Sequence, residues 1–301
     1  MVRWIAIIIT ALVLTGCGAK FVYNNIDWFV IDYVEDYVEL NSTQKALLSD
    51  KIASFSTWQQ QEEMPRYLHH LEQLSLLQPD QFSPRQLDLH RTEVQQHYQR
   101  LVMHLLPDAY LLANTLSDAQ IEQFMQGLTE RQQEFAEKYR DTTQSQARVR
   151  YRERITDNLE EWFGSLSAQQ EDVVSQWVNE MKVTTADWIA FHSRLRRELT
   201  HLFTLRHNEA LFSAQLQALL FAPEQFYSPV LRAKFQYNQA ISDKYLVEIV
   251  RLASDKQIAY FRGEINDWQQ LVQELSADVG TSVRQPPDEQ GVSADHVADA
   301  S

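Results

Sequence analysis

The chain has 301 residues, of which 44% are hydrophobic, and its formal net charge is −14 at pH 7. This length and apolar content are enough for one large hydrophobic core or two small ones. The acidic surface excludes long-range attraction to nucleic acid, so we expect no nucleic-acid partner. Only seven glycines and eight prolines interrupt the sequence, and no segment alternates apolar and polar residues as a strand does. The composition therefore predicts an all-α fold with long helices.

The first sixteen residues have the layout of a bacterial lipoprotein signal peptide. Arg3 provides the positive start, residues 4–14 are apolar, and Leu14-Thr15-Gly16-Cys17 fits the cleavage and lipidation motif called a lipobox. The apolar run is shorter than the roughly 20 residues that span a bilayer. We therefore predict cleavage between Gly16 and Cys17 and acylation of Cys17, the only cysteine, with a chance apolar N-terminus as the alternative.

An acylated Cys17 makes membrane lipid the expected partner of the N-terminus, because each buried CH₂ of an acyl chain contributes about 0.8 kcal/mol. Gly18 follows the cysteine, where many lipoproteins of the inner membrane carry an aspartate. We therefore expect a lipid anchor in the outer membrane, facing the periplasm, rather than in the inner membrane.

Aromatic residues follow the expected anchor without a flexible spacer; they are Phe21, Tyr23, Trp28 and Phe29. Such side chains are suited to the membrane interface when they lie on one face of a helix. Acidic residues begin at Asp27 and oppose that placement. We therefore predict that these aromatic side chains pack into the helical body, with contact at the membrane interface as the alternative.

Six helix starts share one pattern, in which an apolar residue is followed by a capping residue, two spacers and a glutamine. In such a capping box the N-cap side chain accepts from the N3 amide, and the N3 glutamine accepts from the N-cap amide. Ala222 lacks a side-chain oxygen and makes the fifth start the weakest. The starts are Leu40–Gln44, Phe82–Gln86, Leu116–Gln120, Leu166–Gln170, Phe221–Gln225 and Ala253–Gln257.

The order of these starts indicates an internal duplication, because the first three resemble the last three. Phe82–Leu87 matches Phe221–Phe226, and Ser117–Ile121 matches Ser254–Ile258. The alternative is that helix starts simply look alike. We favour duplication because the second match continues along one helical stripe beyond the start itself.

We predict an elongated helical bundle of two related three-helix units, at residues 17–165 and 166–276, packed as one domain. Breaks in the longer helices are expected near residues 141–146 and 182–186, where serine or threonine collects. Residues 277–301 have little apolar content and are predicted to form a disordered tail.

Blocks of aromatic and acidic residues recur through the mature chain; they are Tyr23–Trp28, Asp36–Leu40 with Gln44, Trp58, Glu63–Tyr67, and Glu161–Leu166 with Gln170 and Trp177. Together with the lipobox, these blocks resemble a family of proteobacterial lipoproteins classed as domain of unknown function 6279, over roughly Cys17 to Leu275. Gln59 stands where the family has the histidine of a Trp-His motif, which argues against catalysis at that position. The resemblance implies an envelope address and this architecture, and it implies no mechanism because the family has no assigned activity.

A looser likeness connects the chain to periplasmic chaperones of the Spy and CpxP type. Those proteins are small helical dimers that carry a Leu-Thr-x-x-Gln motif, and the corresponding motif here is Leu-Ser/Asn-x-x-Gln. Helix capping alone explains the motif in this chain. A chaperone role is therefore the second functional hypothesis.

Three histidines, His90, His97 and His104, are spaced seven apart on one predicted helix. Side chains about 10 Å apart along a helix cannot share a metal ion, which would need a spacing of four residues. We interpret them as half-buried residues on the flank of the helix, with a pH-sensing role as the alternative. His69 and His70 are adjacent and point in different directions, so we expect no metal site there.

Four arginines form a basic patch, namely Arg148, Arg150, Arg152 and Arg154. They are candidates for binding an acidic partner or a lipid phosphate. The alternative is a solvated helix face balanced by neighbouring acidic residues, and we favour it.

Adjacent carboxylates occur at Glu62-Glu63 and Glu160-Glu161, and such pairs serve acid–base catalysis when a pocket shifts one pKa. We expect these pairs to be solvated, and no phosphate-binding loop, nucleophile elbow or metal-ligand pair appears. The sequence therefore predicts no catalytic residue, cofactor or metal. The first functional hypothesis is a non-enzymatic envelope protein that binds or scaffolds an unidentified envelope partner; a chaperone is the alternative, and an enzyme comes third.

Overall fold

The computed structural model describes residues 17–277, so the predicted signal peptide and residues 278–301 lie outside the described part of the chain. Between these limits every regular element is helical, which confirms the all-α prediction. A π-helical segment covers Gln59–Glu63, and 3₁₀ turns cover Pro79–Gln81 and Pro223–Phe226. The α-helices are α1 (Cys17–Asn24), α2 (Ile26–Glu35), α3 (Ser42–Trp58), α4 (Met64–Ser75), α5 (Pro84–Thr115), α6 (Asp118–Tyr139), α7 (Gln144–Phe163), α8 (Ala168–Glu180), α9 (Thr185–Thr204), α10 (Glu209–Phe221), α11 (Pro229–Arg251) and α12 (Asp255–Ala277).

Capping boxes begin several helices as the sequence predicts. At Asn41, Ser117 and Ser167 the N-cap side chain accepts from the N3 glutamine amide, and the glutamine side chain accepts from the N-cap amide. The same reciprocal contacts join Ser254 and Gln257, at 3.3 and 3.0 Å. Each N-cap of this kind stabilises its helix by about 1 kcal/mol.

The predicted helix start at Phe221–Gln225 is wrong. This segment ends α10 and forms only a 3₁₀ turn, because Ala222 has no side-chain oxygen that can accept from an amide at the helix start. The next α-helix, α11, begins later at Pro229. Its N-cap is Ser228, whose hydroxyl accepts from the Leu231 amide at 3.0 Å.

The two predicted helix breaks are confirmed, since α6 and α7 are separate helices and so are α8 and α9. Thr143 caps α7 with a capping box that lies outside the predicted set. A further break at residues 205–208 separates α9 from α10. Residues 17–165 therefore contain α1 to α7, and residues 166–276 contain α8 to nearly all of α12, which is more than three helices in each segment.

The capping glutamines of the first and third starts meet each other across the fold. The side chain of Gln44 is buried, and its Nε2 donates to Gln120 Oε1 at 3.1 Å, while Gln120 Nε2 donates back at 2.7 Å. Gln120 Nε2 also lies 2.8 Å from the carbonyl oxygen of Glu39, five residues before Gln44. Beside this pair, the rings of Tyr37 and Phe124 lie 5.9 Å apart. The two glutamines thus join the starts of α3 and α6.

The capping glutamines of the fourth and sixth starts repeat this arrangement between α8 and α12. Gln257 Nε2 donates to Gln170 Oε1 at 2.8 Å and to the carbonyl oxygen of Ser165 at 3.1 Å. Ser165 lies five residues before Gln170, as Glu39 lies five residues before Gln44. The rings of Phe163 and Phe261 lie 6.1 Å apart, at the sequence offsets that Tyr37 and Phe124 occupy in the first pair. We interpret this repetition as the product of an internal duplication.

Apolar clusters hold the helices together at several places. One cluster lies where α7, α8 and α11 meet and includes Val174, Trp177 and Ile249. Another joins α4 to α12, because Met64 of α4 packs with Leu275 and its neighbours on α12. Helices distant in sequence are therefore neighbours in one body.

The prediction that the aromatic residues after Cys17 pack into the core is wrong for Phe21 and Trp28, which are 62% and 58% exposed. The helices α1 and α2 contact mainly each other and α3, so one face of this pair stays open to solvent. Phe29 lies beside both exposed rings, at 6.5 and 4.7 Å. Tyr23 faces the other way and packs against the Met64 cluster.

Candidate functional site

A polar cavity lies between α4 and α5, and the π-helical segment Gln59–Glu63 directly precedes the first residues that line it. Segments of this kind are frequent at functional sites, because the wider turn changes which side chains face inward. Here the segment turns Glu63 into the interior, where its side chain has no exposed surface, whereas the neighbouring Glu62 stays exposed and pairs with Arg66. The prediction that both glutamates are solvated, with no pocket near them, is therefore wrong for Glu63.

Arg100 of α5 balances the charge of the buried Glu63 carboxylate. Arg100 Nε donates to Glu63 Oε1 at 2.5 Å, and Nη2 donates to Oε2 at 3.2 Å, which is the bidentate geometry that makes such pairs strong. Arg66 Nε lies 3.6 Å from the same Oε1. One buried carboxylate therefore holds two guanidinium groups at one end of the cavity.

His97 is the next member of this network. Its Nδ1 lies 2.7 Å from Arg100 Nη2 and 3.3 Å from Glu63 Oε2. Because a guanidinium can only donate, the shorter contact makes Nδ1 an acceptor and places the proton of the neutral ring on Nε2. That Nε2 is buried and has no hydrogen-bond partner within residues 17–277. Burial lowers the pKa of His97; the nearby Glu63 carboxylate opposes this shift and the Arg100 charge adds to it.

His70 and His90 form the opposite end of the histidine cluster. His70 Nε2 and His90 Nδ1 are 3.1 Å apart, and the two rings stack at 5.3 Å. The His70 ring also stacks on His97 at 5.5 Å. Burial lowers the pKa of His70, and the neighbouring histidines lower it further; burial also lowers the pKa of His90. All three rings are therefore neutral at pH 7.

The cavity has a volume of about 320 Å³ and a mostly polar lining. Its lining includes Arg66, His70, Glu93, Gln96, His97 and Arg100. The helices α4 and α5 face each other here through these side chains rather than through an apolar cluster. We call this set, together with Glu63 and His90, the polar seam.

The structure separates the histidines that the sequence groups together. His90 and His97 enter the polar seam, but His104 stacks on the Trp58 ring at 4.0 Å, outside it. His70 is buried in the seam while its neighbour His69 is exposed. No group of three histidine, cysteine or acidic side chains in residues 17–277 is arranged to hold a metal ion.

Sequence reasoning missed Arg66, Arg100 and Glu93 as site residues. They resemble ordinary helix-surface charges in the sequence, and only the packing of α4 beside α5 brings them together. The one available signal was that a charged residue, Arg100, lies close to the apolar stripe of its helix.

The four arginines of the predicted basic patch separate into individual contacts on α7. Arg148 donates to the Val178 carbonyl oxygen and Arg152 to the Ser175 hydroxyl, both on α8. Arg150 and Arg154 lie over the rings of Tyr139 and Tyr151, at 4.9 and 5.6 Å from the ring centres. In the described part of the chain none of the four pairs with a carboxylate. The exposed Glu160 and Glu161 lie on the same helix.

Cys17 is the first residue of α1, and Gly16 lies outside the described residues. Within residues 17–277, no helix combines the length and apolar character needed to cross a membrane.

A family model described as "Family of unknown function (DUF6279)" matches residues 36–232. The chain belongs to this family. In this DUF6279 chain the match includes the whole polar seam but neither Cys17 nor α12, so it is narrower than the resemblance seen in the sequence. No curated protein and no solved structure matches the chain.

Proposed function

We propose that this protein is a lipid-anchored, non-enzymatic binding protein of the bacterial cell envelope, held in the outer membrane and facing the periplasm. The observation that carries the proposal is the lipobox at Leu14–Cys17, followed directly by a helix that begins at Cys17. An acyl chain on this residue places α1 next to the bilayer, because no linker separates the two.

The open aromatic face of α1 and α2 supports the anchor. Phe21 lies four residues after Cys17, about one helical turn, and is exposed together with Trp28. Aromatic side chains favour the boundary between lipid headgroups and acyl chains. Contact with the membrane interface, the alternative for these residues in the sequence, is therefore part of this proposal.

The polar seam supports binding rather than catalysis. A catalytic carboxylate needs to reach a substrate proton or a reacting atom, but Glu63 has no exposed surface and both its oxygens are held by Arg100. What the cavity offers to a ligand is a set of hydrogen-bond donors on a fixed framework. Such a lining is typical of a recognition site.

The chaperone alternative receives no support from the capping motifs. The glutamines Gln44 and Gln170 are buried, and they bond to other glutamines at the starts of neighbouring helices. These contacts account for the Leu-Ser/Asn-x-x-Gln pattern.

We propose an envelope component as the partner of this protein. The arginines of α7 have no carboxylate partners in the described residues, which favours a partner with an acidic surface.

Metabolic labelling with an alkyne analogue of palmitate in a Gram-negative host tests the anchor. We expect label in the wild-type protein and its recovery in the outer-membrane fraction, and neither in Cys17→Ala. An exposed residue outside the lipobox, as in Ser42→Ala, serves as the matched control and should behave as wild type. Unlabelled wild-type protein in the soluble fraction would contradict the proposal.

Cross-linking in the cell, followed by mass spectrometry, then separates a dedicated partner from the broad set of clients that a chaperone captures.

A further inference from the structure

We propose that the cavity between α4 and α5 binds a phosphate group, with Arg66 and Arg100 as permanent cations and the histidines of the polar seam as proton-dependent donors. This inference goes beyond the envelope function above and does not depend on the anchor. Phosphate recognition commonly uses arginine, whose planar group of N–H donors matches the geometry of the anion.

At one end of the cavity, Arg66 and Arg100 have N–H groups that no acceptor in the described residues uses. Arg100 uses Nε and Nη2 on Glu63, and Arg66 uses Nε on the carbonyl oxygen of Glu62. The Nη1 group of each arginine makes no hydrogen bond within the described residues, and both side chains line the cavity. The buried Glu63 fixes the two guanidinium groups in place but supplies only one negative charge between them.

The acidic residues near the cavity are placed so that one end stays favourable for an anion. Glu93 lies seven residues before Arg100 on α5, about 10 Å along the helix, and so lines the far end. Glu62 is exposed and reaches only Arg66, at 3.6 Å. A phosphate beside Arg100 is therefore about two helical turns from Glu93, although Glu93 lies only one turn before His97.

His97 adds a donor that has no acceptor in the described protein. Buried N–H groups are nearly always hydrogen-bonded, so a buried Nε2 proton without a partner beside a cavity is unusual. A phosphate oxygen is an acceptor of the kind this group lacks. Because Nε2 has no exposed surface, the His97 ring must turn toward the cavity to reach it. The neighbouring Tyr67 ring lies 4.8 Å from His97 in a T-shaped arrangement, and burial raises the Tyr67 pKa to about 12, so it adds no charge.

Protonation of the histidines completes the site. Their rings are neutral at pH 7, because burial disfavours the charged form of each ring, and at His70 the neighbouring His90 and His97 disfavour it further. Glu93 favours the charged form of all three, whereas the Arg100 charge disfavours it at His97 and the His69 charge does so at His70. A bound anion stabilises an imidazolium, so binding takes up protons and the affinity rises as the pH falls. Each proton taken up on binding adds about a tenfold change in the anion affinity per pH unit.

Titration calorimetry of the purified protein with sodium sulfate and with sodium phosphate, at pH 5.5 and pH 7.5, tests the site. Sulfate keeps its charge over this range, whereas the second proton of a phosphate group leaves near pH 6, so sulfate isolates the contribution of the histidines. We expect saturable binding of both anions and at least tenfold tighter sulfate binding at pH 5.5.

Arg66→Gln is the main variant, because Arg66 is half-exposed and its loss leaves the Glu63–Arg100 pair intact. It should weaken sulfate binding at least tenfold, and His97→Gln should flatten the pH dependence. Arg85→Gln, an exposed arginine outside the cavity, is the matched control and should bind as wild type. No saturable binding at either pH, or binding that Arg66→Gln and His97→Gln leave unchanged, would overturn the proposal.

Vesicle flotation with Cys17→Ala protein distinguishes a lipid headgroup from a soluble phosphate, since acylation cannot contribute. Binding to vesicles that contain phosphatidic acid, lost in Arg66→Gln, identifies a headgroup phosphate. Binding of inorganic phosphate without flotation identifies a soluble phosphate compound. Either result supports the site, and the labelling experiment on Cys17 reports independently on the anchor.

Discussion

Two kinds of buried polar assembly lie in this helical body, and they are built from different groups. The paired glutamines Gln44–Gln120 and Gln170–Gln257 are neutral, occur twice with the same offsets, and use their amide donors on protein acceptors. The polar seam is charged, occurs once in the described residues, and leaves the Nη1 groups of Arg66 and Arg100 and the Nε2 of His97 without acceptors there. The comparison teaches that a satisfied network joins helices, whereas a network with donors left over has room for a ligand.

The largest expected effect comes from removing the cation that holds Glu63. Arg100→Ala leaves a fully buried carboxylate without its main partner and should lower the free energy of unfolding by about 3 kcal/mol. This value is at the lower end of the losses seen when a buried ion pair is broken, because Arg100 is partly exposed. Urea denaturation measures the change. The double variant Arg100→Ala with Glu63→Gln should recover part of the loss, since no buried charge remains. Equal stabilities of wild type and Arg100→Ala would show that Glu63 is not held as described.

The paired glutamines should show a smaller but repeated effect. Gln170→Ala removes the contact in which the Ser167 amide donates to the Gln170 side chain and leaves the buried Gln257 amide without one acceptor, so we expect a loss of about 2 kcal/mol in the same assay. Gln44→Ala should lose a similar amount at the equivalent position. Gln146→Ala provides the control, because Gln146 belongs to a capping box but is exposed and contacts no second capping glutamine in the described residues. This variant should lose at most about 1 kcal/mol. Identical losses at all three positions would remove the distinction between pairing and capping.

The smallest expected effect is the pH dependence that the polar seam adds to stability. The folded-state pKa of His70 lies below its unfolded value near 6.5, so the unfolded chain binds more protons and stability falls as the pH drops below about 6.5. His70→Gln should make this decline shallower in unfolding measurements between pH 7.5 and 5. The exposed neighbour provides the control, and His69→Gln should keep the wild-type slope. Added sulfate should also make the decline shallower if the cavity binds anions; an unchanged slope in His70→Gln would argue that the ring is not buried.

The parts of the fold that follow from local rules were predictable from sequence. A low glycine and proline content indicates helices, and an N-cap oxygen three residues before a glutamine indicates where a helix begins. The same rule explains the failure at Ala222, where the missing oxygen moved the helix start to Ser228. The meeting of Gln44 with Gln120 was not predictable, because it depends on how distant helices cross.

The candidate site depends on features that the sequence does not display. Glu62 and Glu63 are chemically identical neighbours, and only the π-helical turn decides which of them is buried. His70 and His90 lie on different helices, so their contact follows from packing and not from spacing within one helix. The exposure of Trp28 similarly reflects the absence of a helix above α2 in the described residues, which amphipathic patterning alone does not show.

The contact between α4 and α12 has a consequence for how this protein folds during synthesis. Gln60 donates to the carbonyl oxygen of Leu275 at 3.0 Å across a separation of 215 residues, next to the cluster around Met64. Closing so long a loop is slow, and apolar surface exposed in the meantime promotes aggregation. The apolar face of α4 therefore stays uncovered until α12 has left the ribosome, and a chain truncated before α12 never covers it.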